Sequence, residues 1–189
     1  WQRARLFESV EDKFTQSFVL PYLVPMLENA GAYVMMPRER DTNPNEVVVD
    51  NDGALATSPY AEHNGTNPWK RGDGTGFAYL RKQYVDFQNP FTDGTYRVTT
   101  TVKKANECST VKWTPDIPED GDYAVYVSYK TLPQSVHDAR YTIHHKGGVT
   151  KFSVNQTMGG GTWIYLGTFS FAKGQKGCVE LSNVSKESG

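Results

Sequence analysis

The amino-acid sequence predicts a mainly β fold, an antiparallel β-sandwich of jelly-roll-like character, preceded by a helix-strand fragment of an α/β domain. Three observations carry this. From residue 96 onward short period-two segments recur, each bounded by Gly, Pro, Asp or Asn, as expected for strands with one face in a core. The turn Gly159-Gly160-Gly161 lies between a strand-like run ending in Asn155-Gln156 and the aromatic run Trp163-Ile164-Tyr165-Leu166-Gly167-Thr168-Phe169-Ser170-Phe171, so it reads as a flexible hairpin; a phosphate loop would open a helix. Only the first 45 residues combine helical periodicity with an unbroken apolar run.

Taken in order, residues 2–30 read as helix, with Leu6, Val10, Phe14 and Phe18 forming an apolar stripe. Pro21 and Pro25 each remove a donor, which predicts a break near Val19 to Pro21, and Gly31 suits a left-handed C-terminal cap. Ala32-Tyr33-Val34-Met35-Met36, stopped by Pro37, reads as a buried strand. The domain boundary therefore falls after residue 45, with the sandwich spanning 46–189. Residues 51–95 are rich in Asn, Asp, Gly, Thr and Pro and read as long loops with short strand candidates such as Gly76 to Leu80. The strands follow at Tyr96 to Val102, Cys108 to Trp113, Tyr123 to Tyr129, Ala139 to His145, Thr150 to Val154, Trp163 to Phe171 and Cys178 to Val184.

The chain is long enough to bury a core, and its 20 basic and 21 acidic residues nearly cancel to a net charge of −1. No run of Lys or Arg offers a field for a phosphate backbone, so nucleic acid is not an expected partner. No run of about 18 apolar residues is present for a membrane-spanning helix, and the opening at Trp1 without a signal-peptide pattern suggests a processed or excised piece.

Val47-Val48-Val49-Asp50-Asn51-Asp52, Val111 to Pro118, Gly121 to Val127, Ala139 to His145 and the Val154 to Phe171 run together resemble the golvesin-like domain. That is a β-sandwich module of bacterial surface and secreted proteins, carbohydrate-binding-like and also attached to proteins labelled xanthan lyase. The resemblance implies an extracellular, periplasmic or cell-surface setting, polysaccharide or peptidoglycan as partner, and a further apolar strand beyond Ser188-Gly189. Without that strand, an edge is left unpaired or is filled by a separate piece of chain.

Glu11-Asp12-Lys13, the helix to Gly31, the strand at Ala32 to Met36 and Pro37-Arg38-Glu39-Arg40-Asp41 resemble the zinc-dependent N-acetylmuramoyl-L-alanine amidases. That likeness implies Glu11 as a zinc ligand in the intact protein. The family's partner histidines are missing here, since no His precedes His63. One carboxylate cannot hold a catalytic zinc, so no cofactor is expected in this chain alone.

Several residues remain as handles on function. Cys108 and Cys178 share outward parity if Val111, Trp113, Val179 and Leu181 set the core face; they could close a disulfide if their strands are neighbours, or remain two free thiols. His144 and His145 should point to opposite faces of one strand, and His63 and His137 fall in loop-like sequence. In the loop region Trp69, Tyr79, Tyr84 and Phe87 could stack on a sugar ring, with Asn64, Asn67, Arg71 and Asp73 as hydrogen-bonding groups. The same aromatics could equally pin the loops onto the sandwich. Trp113 and Trp163 are expected in the core. The resulting expectation is a non-catalytic carbohydrate- or cell-wall-binding module of a larger protein. The alternatives are part of a zinc amidase, part of a polysaccharide lyase of the xanthan type, or a structural spacer. A lyase needs a base beside the sugar C5 proton and a group neutralising the uronate, a set that the sequence does not assemble.

Overall fold

The computed structural model of the chain describes residues 18–19, 22–31, 46–52, 59–77 and 90–187. Two units are distinct, Trp1–Met36 and Pro37–Gly189. In the first, one short helix is described, α1 (Val24–Asn29), with wider π-type turns at Phe18, Val19, Tyr22 and Leu23 before it. Pro25 is the second residue of α1, directly after these wider turns. At the other end the Ala30 N–H donates to the Met26 carbonyl at 3.1 Å, and Gly31 has φ +84°, the left-handed cap that the sequence predicts. The rest of the expected helix, the strand at residues 32–36 and the boundary at residue 45 lie outside the described residues.

The second unit is built from strands β1 (Tyr60–His63), β2 (Lys70–Arg71), β3 (Arg97–Val98), β4 (Thr110–Trp113), β5 (Gly121–Val127), β6 (Ala139–His145), β7 (Gly148–Val154), β8 (Ile164–Phe171) and β9 (Cys178–Ser182). β1, β4, β9, β6 and β7 form one antiparallel sheet in that order, while β5 pairs with β8 and β2 with β3. The C-terminal strand β9 is thus interior, hydrogen-bonded on both sides, and β1 and β7 are the edges of its sheet. The core lies between the inner face of the five-stranded sheet and β5–β8. Tyr141, Ile143, Ala139 and Val154 from the first pack with Val127, Leu166 and Phe171 from the second, and Trp113, Val179 and Leu181 border them. Burying this many aromatic and branched side chains supplies the main stabilising free energy.

The glycine turn does not form a hairpin. β7 and β8 belong to different sheets, so residues 155–163 cross from one sheet to the other. The crossing packs against the neighbouring one between β5 and β6: the Gly161 N–H donates to the Tyr129 carbonyl at 3.0 Å, the Gly160 N–H to Thr131 Oγ1 at 3.0 Å, and the Tyr129 hydroxyl to the Met158 carbonyl at 2.8 Å. A Cβ on Gly160 would stand 2.4 Å from the Thr131 nitrogen, so glycine here serves close backbone approach and not flexibility.

β8 also contains a bulge. Val125 pairs with Gly167, but Tyr126 pairs with Tyr165, so Leu166 is the extra residue. Leu166 turns into the core beside Phe169 and Phe171, and every side chain before it changes face. Gly167 makes this fit, with φ +145° and a Cβ position only 2.9 Å from the Phe169 ring.

Candidate functional site

The described parts of the loop-rich region expected to bind ligand, residues 51–52, 59–77 and 90–95, are tied down by their own polar groups. β1 alternates so that Tyr60 and Glu62 share the face of Trp113 and Val111, the core-side face, while Ala61 and His63 are exposed. A carboxylate on that side needs partners, and it has three bonds: Arg97 Nε donates to Glu62 Oε1 at 2.6 Å, Arg97 Nη2 donates to Oε2 at 3.0 Å, and the Tyr60 hydroxyl donates to Oε1 at 2.6 Å. Burial alone would raise the Glu62 carboxyl, but the Arg97 and Tyr60 hydrogen bonds and the Arg97 charge outweigh it and hold the group below the ordinary carboxylate value. The Tyr60 phenol is pushed far up, first by burial and then by the Glu62 carboxylate.

A polysaccharide lyase needs a base for the sugar C5 proton and a group that neutralises the uronate, and the Tyr60–Glu62–Arg97 arrangement opposes that chemistry. A tyrosine base must give up its proton near neutrality, and Tyr60 holds its proton more firmly than a free phenol. Arg97 is engaged through Nε and Nη2 with Glu62 and, from Nη2 at 3.4 Å, with the Trp69 carbonyl.

Trp69 corrects an expectation. The residue is only 9% exposed, buried and not presented to solvent, and its indole Nε1 is buried without a hydrogen-bond partner among the described residues. The cause is local: the Trp69 N–H donates to Asn64 Oδ1 at 2.9 Å, folding the loop back on itself. Asn67 is engaged as well, its Nδ2 donating to the Thr100 and Thr101 carbonyls at 3.2 and 3.3 Å, while its carbonyl accepts from the Ser109 and Thr99 hydroxyls. Asn64 and Asn67 therefore fix the loop. Arg71, at the end of β2, and Asp73, in the turn after it, are exposed; the Asp73 carbonyl accepts from the Tyr96 hydroxyl at 2.9 Å. Tyr79, Tyr84, Phe87 and Glu11 lie outside the described residues.

The cysteine pair is also corrected. Cys108 and Cys178 are both free. β4 and β9 are neighbours, but they run antiparallel with Trp113 opposite Val179 and Thr110 opposite Ser182. Cys178 therefore lies past one end of the paired stretch and Cys108 past the other. At about 3.3 Å per residue this separation exceeds the roughly 7 Å limit for a disulfide. Cys178 has the outward parity expected, opposite to Val179, yet it is only 7% exposed, and burial pushes its thiol up.

The histidines follow strand geometry. His145 stacks at 4.8 Å from the Phe169 ring and bonds Thr150 Oγ1 at 3.0 Å, and His144 takes the other face, opposite Cys178. His137 is exposed and pairs with Glu187 at 3.1 Å, and His63 is exposed on β1. Among the described residues no three His, Cys, Asp or Glu side chains are grouped as a metal site needs. Trp163 packs at 4.8 Å from Phe77 and 6.0 Å from Phe91, an aromatic cluster just ahead of β8. The Val47 to Asp52 motif proves to be an anchor: Asp52 accepts from the Thr95 N–H at 2.7 Å and from the Thr95 hydroxyl, tying the segment to the turn before β3.

Comparison with known proteins agrees with this architecture. A curated xanthan lyase from Bacillus sp. (strain GL1) is 33% identical over 73 residues, which make up 39% of this chain and 8% of that protein. The solved structure of a Paenibacillus xanthan lyase matches with a TM-score of 0.51 at 20% identity, over 74% of this chain and 11% of that one, a likeness of fold. The chain thus spans about a tenth of the length of these relatives. Neither likeness supports the amidase-like reading of residues 1–45. The model of the Golvesin C-terminal domain matches residues 86–189, more than half of the sequence, and the chain belongs to that family.

Proposed function

We propose that this chain is a non-catalytic polysaccharide-binding module of a larger secreted or surface protein. The carrying observation is the combination of fold and share: an antiparallel sandwich of the Golvesin C-terminal domain family that is similar to a small part of a xanthan-degrading enzyme. A part of that size suits an accessory role, holding a longer protein on its glycan. The Tyr60–Glu62–Arg97 cluster supports the same reading, because its groups satisfy one another and Tyr60 holds its proton more firmly than a free phenol. Arg71 and Asp73, exposed on either side of Gly72, are the proposed hydrogen-bonding groups on the loop side.

The test is titration of the chain with xanthan, a neutral glucan and peptidoglycan fragments by calorimetry, with reducing-end or unsaturated-product assays in parallel. Saturable binding to at least one polymer without chain cleavage is expected. Binding to none of them would make the chain a spacer, and cleavage would make it an enzyme.

A further inference from the structure

We propose that the outer face of β5–β8, centred on Tyr165 and Tyr126, is a stacking site for the pyranose rings of a polysaccharide chain; this rests on the binding-module reading. Strict alternation would place Tyr165 with Phe169 and Phe171, which face the core. The bulge reverses its direction: Leu166 takes the inward position and Tyr165 emerges, 37% exposed, opposite Tyr126. The two rings stand 5.2 Å apart, inclined at 44°. Bulges recur where a strand re-aims a side chain for use, and this one brings an amphipathic ring out of an otherwise apolar run.

The surroundings suit a sugar. Continuing along the same face, Ala124 pairs with Thr168 and Asp122 with Ser170, and all four are exposed. Alanine leaves the floor low beside the rings. The Tyr165 hydroxyl bonds Thr168 Oγ1 at 2.8 Å, which fixes the ring, and Ser170 donates to Asp122 Oδ1, which leaves that carboxylate further acceptor sites. An aromatic face for the C–H side of a pyranose, followed by hydroxyl and carboxylate groups for its hydroxyls, is the division of labour that sugar recognition requires. Nucleic-acid bases also stack on tyrosine, but Asp122 and the net charge of −1 repel a phosphate backbone.

The experiment uses the full chain and xanthan, together with the neutral glucan, as probes. Tyr165→Ala is expected to weaken binding about tenfold or more, and Tyr165→Phe to stay within about twofold, since the ring and not the hydroxyl makes the contact. Circular dichroism and thermal melting verify that both variants fold, and ring-proton shifts of the wild type on adding oligosaccharide should fall on Tyr165 and Tyr126. If the wild type binds and Tyr165→Ala binds equally well, the site is overturned while the module reading stands. If the wild type binds no polysaccharide, both are overturned. Loss of binding in Tyr165→Phe as well as Tyr165→Ala would overturn stacking as the contact.

Discussion

The Tyr60 hydroxyl donates to Glu62 Oε1 at 2.6 Å, on the carboxylate that Arg97 grips with two nitrogens. This joins β3 to β1, 35 residues earlier in the sequence, and, through the Trp69 carbonyl, to the loop that follows β1. A half-buried carboxylate with three donors is stable only while its donors remain, which makes the cluster a clasp whose failure should be visible in stability.

Arg97→Met removes two of those donors and the compensating charge, and a loss of about 1–3 kcal/mol is expected in denaturant unfolding. The sign with pH follows from Glu62. Its folded carboxyl lies below the ordinary value of 4.5, so its contribution is fully present above that value and is lost as pH falls through the lower, folded one. Unfolding of Glu62→Gln should therefore show less acid dependence than the wild type below about pH 4.5. Equal acid dependence in the two proteins would remove Glu62 from this role.

Trp69 offers a second test because its indole is buried and Nε1 has no hydrogen-bond partner among the described residues. Trp69→Ala should cost about 3–5 kcal/mol through loss of buried ring volume. Trp69→Phe keeps much of the ring and deletes a donor that has no acceptor, so its cost should be clearly smaller. Similar losses in both variants would mean that the indole N–H has a partner after all. Any effect of Trp69→Ala on glycan binding should accompany this loss of stability.

The strands were legible where alternation and turn residues agreed. Ala139–His145 is observed with the predicted bounds, because inward Ala139, Tyr141 and Ile143 alternate cleanly before the Lys146-Gly147 turn. β1 was not legible, since its inward positions are Tyr60 and Glu62, and an inward glutamate reads as surface until Arg97 is brought to it by the fold. The glycine turn misled for a related reason: period-two runs say where strands are and not which sheet each joins. The loop aromatics were legible as aromatics, but whether Trp69 faces water depended on the Asn64 hydrogen bond. The Tyr165–Tyr126 face depended on a one-residue shift in pairing, which alternation cannot register.

The register of β4 against β9 predicts two titratable thiols. Unfolded, unreduced protein should give two equivalents with a thiol reagent, and one disulfide would instead give none. In the folded protein Cys108, which is half-buried, should react before Cys178, whose burial raises its thiol and limits access. Faster reaction of Cys178, read by mass spectrometry of peptides, would contradict the packing of the sheet's outer face there.

The bulge at Leu166 depends on Gly167 in two separable ways, and a pair of variants separates them. Gly148 at the start of β7 has φ +124°, near the +145° of Gly167, but has open space where its Cβ would be. Gly148→Ala therefore measures the conformational cost alone, about 1–2 kcal/mol. Gly167→Ala carries a similar cost and also places a methyl 2.9 Å from the Phe169 ring, which packs against the core and against Phe152. A larger loss is expected, about 2–4 kcal/mol in all, read as a melting temperature lowered by more than in Gly148→Ala. If the strand relieves that contact by giving up the bulge, Tyr165 rotates toward the core, and its ring signals should lose their proximity to Tyr126 in nuclear Overhauser spectra. Equal melting temperatures for the two alanine variants, with the Tyr165–Tyr126 contact retained in both, would show that the bulge does not require glycine.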